Sequence, residues 1–186
     1  MIDTSSAQAA VAVLDGGVLA EEVRPAGREL DLAAWVRSLV DPQTVERVVV
    51  ALGPGSYTGL RTGAAYALGL ALGRRVPLLG LGSLELQQAR APDAEVTGVG
   101  EAGRGRVYYR SPAGEEGIAE AGAVPGAGFA VGWLRAQTAA ALRLPIMPDA
   151  RLRSFGEAAS AISGRAKNLG YDRFGLRYVH TFGAVE

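Results

Sequence analysis

The chain opens with a two-residue period. Gln8 to Leu14 (QAAVAVL) and Val18 to Val23 read as paired strands, and Asp15-Gly16-Gly17 between them accepts the positive φ that a tight hairpin needs. Ile2 to Thr4 predicts the stub of a first strand on the far side of that hairpin. The period then lengthens. Leu30 to Val40 places Leu32, Trp35, Val36 and Leu39 on one helical face, and Asp41-Pro42 stops it. Arg47 to Leu52 (RVVVAL) is a β-branched run suited to a strand covered on both faces. A long helix is predicted over Thr58 to Gly73, a strand over Val76 to Leu81, and a short helix capped by Ser83 through Arg90. An antiparallel meander followed by alternating helices and strands predicts an α/β sheet.

Pro92-Asp93-Ala94 reads as a hinge, so the expected division is residues 1–92 and residues 93–186. Past it the patterns weaken. Glu95 to Gly100 and Arg106 to Ser111 predict a hairpin across residues 101–105. Residues 112–128, rich in Gly, Pro and Glu, hold a short strand at most. Phe129 to Gly132 predicts a strand; Trp133 to Leu142 and Arg151 to Ser163 predict helices.

Composition narrows the chemistry. The 186 residues contain no Cys and one His, His180, which excludes disulfides, thiolate metal sites, a Cys nucleophile and any His-x-x-x-His pair within the chain. Basic and acidic residues number 19 each, and neither half has the basic excess of a nucleic-acid-binding domain. Met1-Ile2-Asp3-Thr4 lacks the basic start and apolar stretch of a leader. The longest apolar helix ends near Gly73, short of the ~20 residues that span a bilayer. A cytoplasmic protein without a membrane partner is expected.

The sharpest motif is Gly53-Pro54-Gly55-Ser56-Tyr57-Thr58-Gly59, between a strand and a helix. Two readings stand. Backbone amides at a glycine-rich helix start can hold a phosphate. Alternatively, the segment is a strand-to-helix turn, with Ser56 or Thr58 as N-cap and glycines for close packing. It is neither a Walker A loop, since Leu60-Arg61 follows the last Gly, nor the dinucleotide pattern, whose spacing and acidic partner are absent. Asp3, Thr4 and Ser5, at the end of the first strand, are candidates for holding a metal–phosphate group and equally for an ordinary Asx turn. Arg104 and Arg106 beside Tyr108-Tyr109 suit an RNA surface or a half-exposed strand. His180 has no local partner that would make it a base.

The helix after the glycine turn is apolar nearly all round; from Leu60 to Gly73 only Arg61, Thr62 and the Tyr66 hydroxyl are polar. Such a helix is covered on both sides. One side lies on the sheet. The other needs either the rest of the chain or another chain, and a partner interface using Leu60, Arg61, Ala64, Ala65 and Leu68 is expected. Small residues at Gly63, Ala64, Ala67, Gly69 and Ala71 permit close helix approach.

Together, Ile2-Asp3-Thr4-Ser5, Gly53 to Arg61 (GPGSYTGLR), Gly69 to Gly73, Pro77 to Leu84 (PLLGLGSL) and Glu101 to Tyr109 (EAGRGRVYY) resemble the bacterial TsaB family, also called YeaZ. The similarity is close through residue 110 and loose after it, with Leu176 to Val179 corresponding to the family's closing strand. It implies two ribonuclease-H-like lobes of the actin/Hsp70/sugar-kinase superfold, the second reduced. It also implies a non-catalytic subunit for forming N6-threonylcarbamoyladenosine at position 37 of tRNAs. TsaD would be the catalytic partner, carrying the metal, and the ATPase TsaE would join the pair. No cofactor is expected in this chain itself, with ATP at the shared interface of the complex and tRNA contact left mainly to other subunits. The second element of the TsaD interface would be Leu30 to Val40, through Leu32, Trp35 and Val36, and the isolated chain would form a homodimer through the same helices. The sequence departs from the family at Glu101, where Asp is usual, in the short first strand, and in lacking a His at Arg28-Glu29-Leu30. A competing reading is an independent phosphotransferase or ATPase of the same superfold, using Asp3 and the glycine turn. A peptidase finds no nucleophile–base pair.

Overall fold

The computed structural model describes residues 1–27, 30–92, 94–171 and 175–176. The chain forms two sheets with helices between and around them. The first sheet contains β1 (Ile2–Asp3), β2 (Gln8–Leu14), β3 (Val18–Pro25), β4 (Val48–Ala51) and β5 (Leu78–Leu81). Helix α1 (Leu32–Leu39) links β3 to β4, and α2 (Tyr57–Arg74) links β4 to β5. After α3 (Ser83–Ala89) the chain builds the second sheet from β6 (Val96–Gly103), β7 (Arg106–Arg110), β8 (Glu116–Glu120) and β9 (Phe129–Val131). Helices α4 (Ala136–Ala141) and α5 (Phe155–Ala161) follow, then β10 (Lys167–Asn168).

The first sheet is mixed, with strand order β10-β5-β4-β1-β2-β3. β1, β4 and β5 run parallel, while the hairpin strands β2 and β3 and the terminal β10 run antiparallel to their neighbours. The second sheet has order β8-β7-β6-β9, with β9 parallel to β6. The meander, the α/β alternation and the hairpin after residue 95 thus match the hydrophobic pattern.

Period two decides what each face of the first sheet touches. Ile2, Ala9, Val11, Val48, Val50 and Leu78 point to the side of α1 and α2, where they pack with Leu32, Trp35, Val36, Ala67 and Ala71. Ala10, Ala12, Ala51 and Leu81 point to the other side and meet Leu86 of α3 with Phe155 and Ala159 of α5. Small residues on that second face let the helices sit close. A separate core on the second sheet gathers Val99, Val107 and Ala130 under Ala121, Val124 and Leu144.

Several features differ from the sequence pattern: α4 starts at Ala136 rather than Trp133, Gly82 and not Ser83 is the N-cap of α3, and three others are larger. β8 is a five-residue strand where residues 112–128 suggested mostly loop; its Glu120, Ala119, Ile118, Gly117 and Glu116 pair in register with residues 106–110. The predicted helix over Arg151 to Ser163 starts only at Phe155, because Ser154 caps it in a reciprocal box with Glu157. β10 was not foreseen. It is two residues long and exposed, so it carries no hydrophobic signature, yet Lys167 and Asn168 pair with Gly80 and Leu79 at the edge of the first sheet. Only Leu176 of the expected closing strand over 176–179 lies within the described residues, outside any strand. His180 lies outside them.

Candidate functional site

β1 ends at the centre of the first sheet, where the chain must turn to start the hairpin. Asp3 Oδ1 accepts the Ser5 amide at 2.8 Å and Ser6 Oγ donates to the Gln8 carbonyl at 3.0 Å, which makes this an Asx-type turn. Asp3, Thr4, Ser5 and Ser6 are all buried. The second carboxylate oxygen of Asp3 has no hydrogen-bond partner in the described chain. Burial pushes the Asp3 carboxyl above its ordinary value, with the Ser5 hydrogen bonds pulling the other way.

The glycine turn lies directly on this segment. A Cβ on Gly55 would stand 2.2 Å from the Ser5 carbonyl oxygen, and one on Gly59 would stand 1.9 Å from that of Thr4. Both positions therefore require glycine. The Ser56 amide donates to the Ser5 carbonyl at 2.6 Å, and Thr4 Oγ1 donates to the Gly59 carbonyl at 2.7 Å. Ser56, not Thr58, is the N-cap of α2, its Oγ accepting the Gly59 amide at 3.3 Å. Gly53 and Ser83 exchange bonds at 3.0 Å in each direction, which ties the turn to the start of α3; the Gly53–Pro54 peptide is cis. Of the two readings of the motif, this geometry favours the packed turn. Its glycines are spent on the chain's own backbone, and the Gly53, Ser56 and Gly59 amides are already committed.

From this anchored start α2 presents two different faces. Leu60, Gly63, Ala64, Ala67 and Ala71 point into the sheet. Thr58, Arg61, Thr62, Ala65, Gly69, Leu72 and Gly73 are exposed, with Leu68 half-buried beside them. Leu72 is 47% exposed and Tyr57, at the first turn, 56%. Arg61 lies over the Tyr57 ring, 5.0 Å from its centroid, and donates to the Tyr57 hydroxyl.

This arrangement corrects part of the expected interface. Leu60 and Ala64 are 1% and 3% exposed, so they belong to the core and have no surface to offer a partner. The same holds for Leu32, Trp35 and Val36, which form the underside of α1. Their apolar periodicity marked a buried face correctly, but the sheet of the same chain covers it. Arg61, Ala65 and Leu68 remain accessible, Gly69 of the small-residue set lies on the same stripe, and the sequence reading missed Leu72 there. Spacing from Arg61 was the available signal, since positions 61, 65, 68, 69 and 72 share one helical face.

Other candidates separate. Tyr109 turns into the second core while Arg106 and Tyr108 stay half-buried on the opposite face, so the cation–aromatic cluster does not converge. Glu101 accepts the Arg135 amide at 3.1 Å and Thr138 Oγ1 at 2.9 Å, holding the start of α4; no local pattern foretold that role. A groove of about 730 Å³ runs between α1 and the end of β3, lined by Arg24, Leu30, Asp31, Trp35 and Ser38, away from the glycine turn. Its Arg24 is held by both Glu22 oxygens, at 2.6 and 2.9 Å, over the Trp35 ring. The Arg24 hydrogen bonds hold the Glu22 carboxyl below its ordinary value. Among the described residues no three His, Asp or Glu side chains gather as a metal site, and no helix is long and apolar enough to cross a membrane.

The geometry can be set beside known proteins. Residues 33–120, which carry the glycine turn, α2 and the first hairpin of the second sheet, match the family model "TsaD: tRNA N6-adenosine threonylcarbamoyltransferase". A curated relative, the tRNA threonylcarbamoyladenosine biosynthesis protein TsaB of Bacillus subtilis (strain 168), is 36% identical over 117 residues. These matches support a resemblance to the TsaB/YeaZ family. That alignment spans 58% of this chain and about half, 51%, of the TsaB relative. For the fold, YeaZ from Pseudomonas aeruginosa superposes with a TM-score of 0.71 at 22% identity, covering 95% of this chain and 97% of its own. An uncharacterized protein described as similar to peptidase YeaZ from Pseudomonas aeruginosa gives the same TM-score at 21% identity, over 96% and 97%.

Proposed function

We propose that this chain is a non-catalytic scaffold subunit that pairs with TsaD to support N6-threonylcarbamoyladenosine formation at A37 of tRNAs. The observation that carries the reading is the outer stripe of α2. Ala65, Leu68, Gly69 and Leu72 leave an apolar surface with small residues at its centre and Arg61 at its head, on a helix whose start is rigidly fixed by the glycine turn. The similarity to TsaB supports the pathway, and the single His of the sequence cannot form a His-x-x-x-His metal pair, which this reading leaves to TsaD. The two sheets would correspond to two ribonuclease-H-like lobes of the actin/Hsp70/sugar-kinase superfold. The isolated chain would form a homodimer through the same stripe, TsaE would complete the complex, and ATP would bind at the shared interface.

Pull-down with TsaD tests this. Ala65→Arg and Leu72→Glu place charge on the stripe without touching the core, and each is expected to abolish complex formation while leaving the fold intact. Undiminished capture by both variants would sink the interface. The second reading, an independent phosphotransferase or ATPase, rests on the buried, unpartnered oxygen of Asp3. ATP hydrolysis by the purified chain that disappears in Asp3→Ala would favour it.

A further inference from the structure

The chain passes twice between the sheets, and the two passages are joined. The first leaves α3 at Arg90 and reaches β6 at Val96. The second leaves the second sheet after Met147, whose amide still donates to the Ala130 carbonyl, and enters α5 at Phe155 on the first sheet. Where they run side by side, the Arg153 amide donates to the Arg90 carbonyl at 2.8 Å and Arg90 Nε donates back to the Arg153 carbonyl at 3.3 Å.

Each side of this joint is anchored to a different sheet. Gln88, two residues before Arg90, donates through Nε2 to the carbonyls of Val96, Arg110 and Ser111, at 2.9 to 3.0 Å, and so fixes the end of α3 to the second sheet. On the other side, Glu21 of β3 accepts both Ser154 Oγ and the Gly156 amide at 2.7 Å, which fixes the entry to α5 to the first sheet. Arg90 stands between these anchors. Its residue is only 8% exposed, its guanidinium lies 5.0 Å from the centroid of the Trp133 ring, and Nη1 donates to Gln87 Oε1 at 3.2 Å. The nearest carboxylate, Asp149, is 3.5 Å away with a side chain 90% exposed, so it compensates little of the cost of burying the charge. With Asp149 exposed and Glu21 of β3 attracting the guanidinium only through space, this buried cation is an inefficient way to fill a core, but its directional bonds define one orientation.

We propose that Arg90 is the lock of a hinge between the two sheets, fixing their relative orientation through the Arg153 carbonyl and the Trp133 ring. The chain has no native cysteine, so spin labels on Glu46→Cys and Ala113→Cys, exposed positions beside β4 and before β8, report the distance between the sheets cleanly. In the full-length chain Arg90→Met, which keeps the apolar stem, is expected to at least double the width of the distance distribution. The Arg153 amide should also exchange about tenfold faster. Asp149→Asn should leave both readings unchanged. A distribution for R90M that superimposes on the parent overturns the proposal, as does equal broadening by D149N, which leaves the contacts of Arg90 with the Arg153 carbonyl and the Trp133 ring in place. Should R90M fail to fold, Arg90→Lys keeps the charge and stem but loses the guanidinium fork; it is expected to broaden the distribution measurably, and an unchanged one overturns the lock.

Discussion

The two faces of α2 have almost the same composition and opposite fates. Toward the sheet stand Leu60, Gly63, Ala64, Ala67 and Ala71; toward solvent stand Ala65, Gly69, Leu72 and Gly73 with Arg61 and Thr62. An amphipathic helix announces its buried side by contrast, and here the contrast is missing. What separates the faces is the anchor at the helix start. Gly59 seated on Thr4 and Ser56 bonded to Ser5 fix the rotation of the helix about its axis, and that rotation decides which alanines are core.

The buried face of α2 is the more sensitive of the two. Leu60→Ala removes a large, fully buried side chain and should cost about 3 kcal/mol in chemical denaturation. Gly59→Ala attacks the anchor itself. Its Cβ would sit inside the contact distance of a backbone carbonyl, and a loss of about 2–3 kcal/mol is expected, with weakened TsaD capture because the outer stripe rotates with the helix. A merely local loss, with capture unchanged, would show that the anchor does not set the rotation.

Beneath the anchor, Asp3→Asn tests the buried carboxyl. Its folded value is raised, so the native state holds the proton more tightly than the unfolded chain. Its contribution is therefore most favourable below the ordinary carboxylate range and is lost as pH rises through the folded value. The stability of the parent relative to Asp3→Asn should fall as pH is raised from 4 toward neutrality. Urea midpoints for both proteins across that range check it, and a constant difference would show that the carboxyl keeps the same affinity in both states. The smallest effect lies on the outer face. A Cβ on Gly69 meets nothing within 4 Å, so Gly69→Ala should stabilise the monomer, at concentrations too low for the homodimer, by about 0.5–1 kcal/mol in a thermal melt. Destabilisation there would mean that the face is covered.

Most of the first sheet could be read from residue order because its information is local. β2, β4, α1 and α3 each carry their own period, and the turns between them are marked by Asp-Gly-Gly, Asp-Pro and the glycine string. The need for glycine at 55 and 59 was visible as a turn, although the carbonyls that impose it come from residues 4 and 5, some fifty positions away. Leu32, Trp35 and Val36 show the limit of such reading. Periodicity tells that a face is covered but not by what, and a sheet of the same chain leaves the same mark as a partner. Arg90 and Glu21 had no mark at all. Each looked like an ordinary charge, and each gains its role only where two distant segments meet.

The strand order has a consequence for synthesis. The face formed by Ala10, Ala12, Ala51 and Leu81 is laid down early, while Phe155, Ala159 and Ile162, which cover it together with α3, emerge only after the whole second sheet. Until then a nascent chain carries an apolar surface with half of its cover missing. A fragment stopped after β6 would keep that surface permanently, so truncation should give aggregation rather than a smaller folded protein.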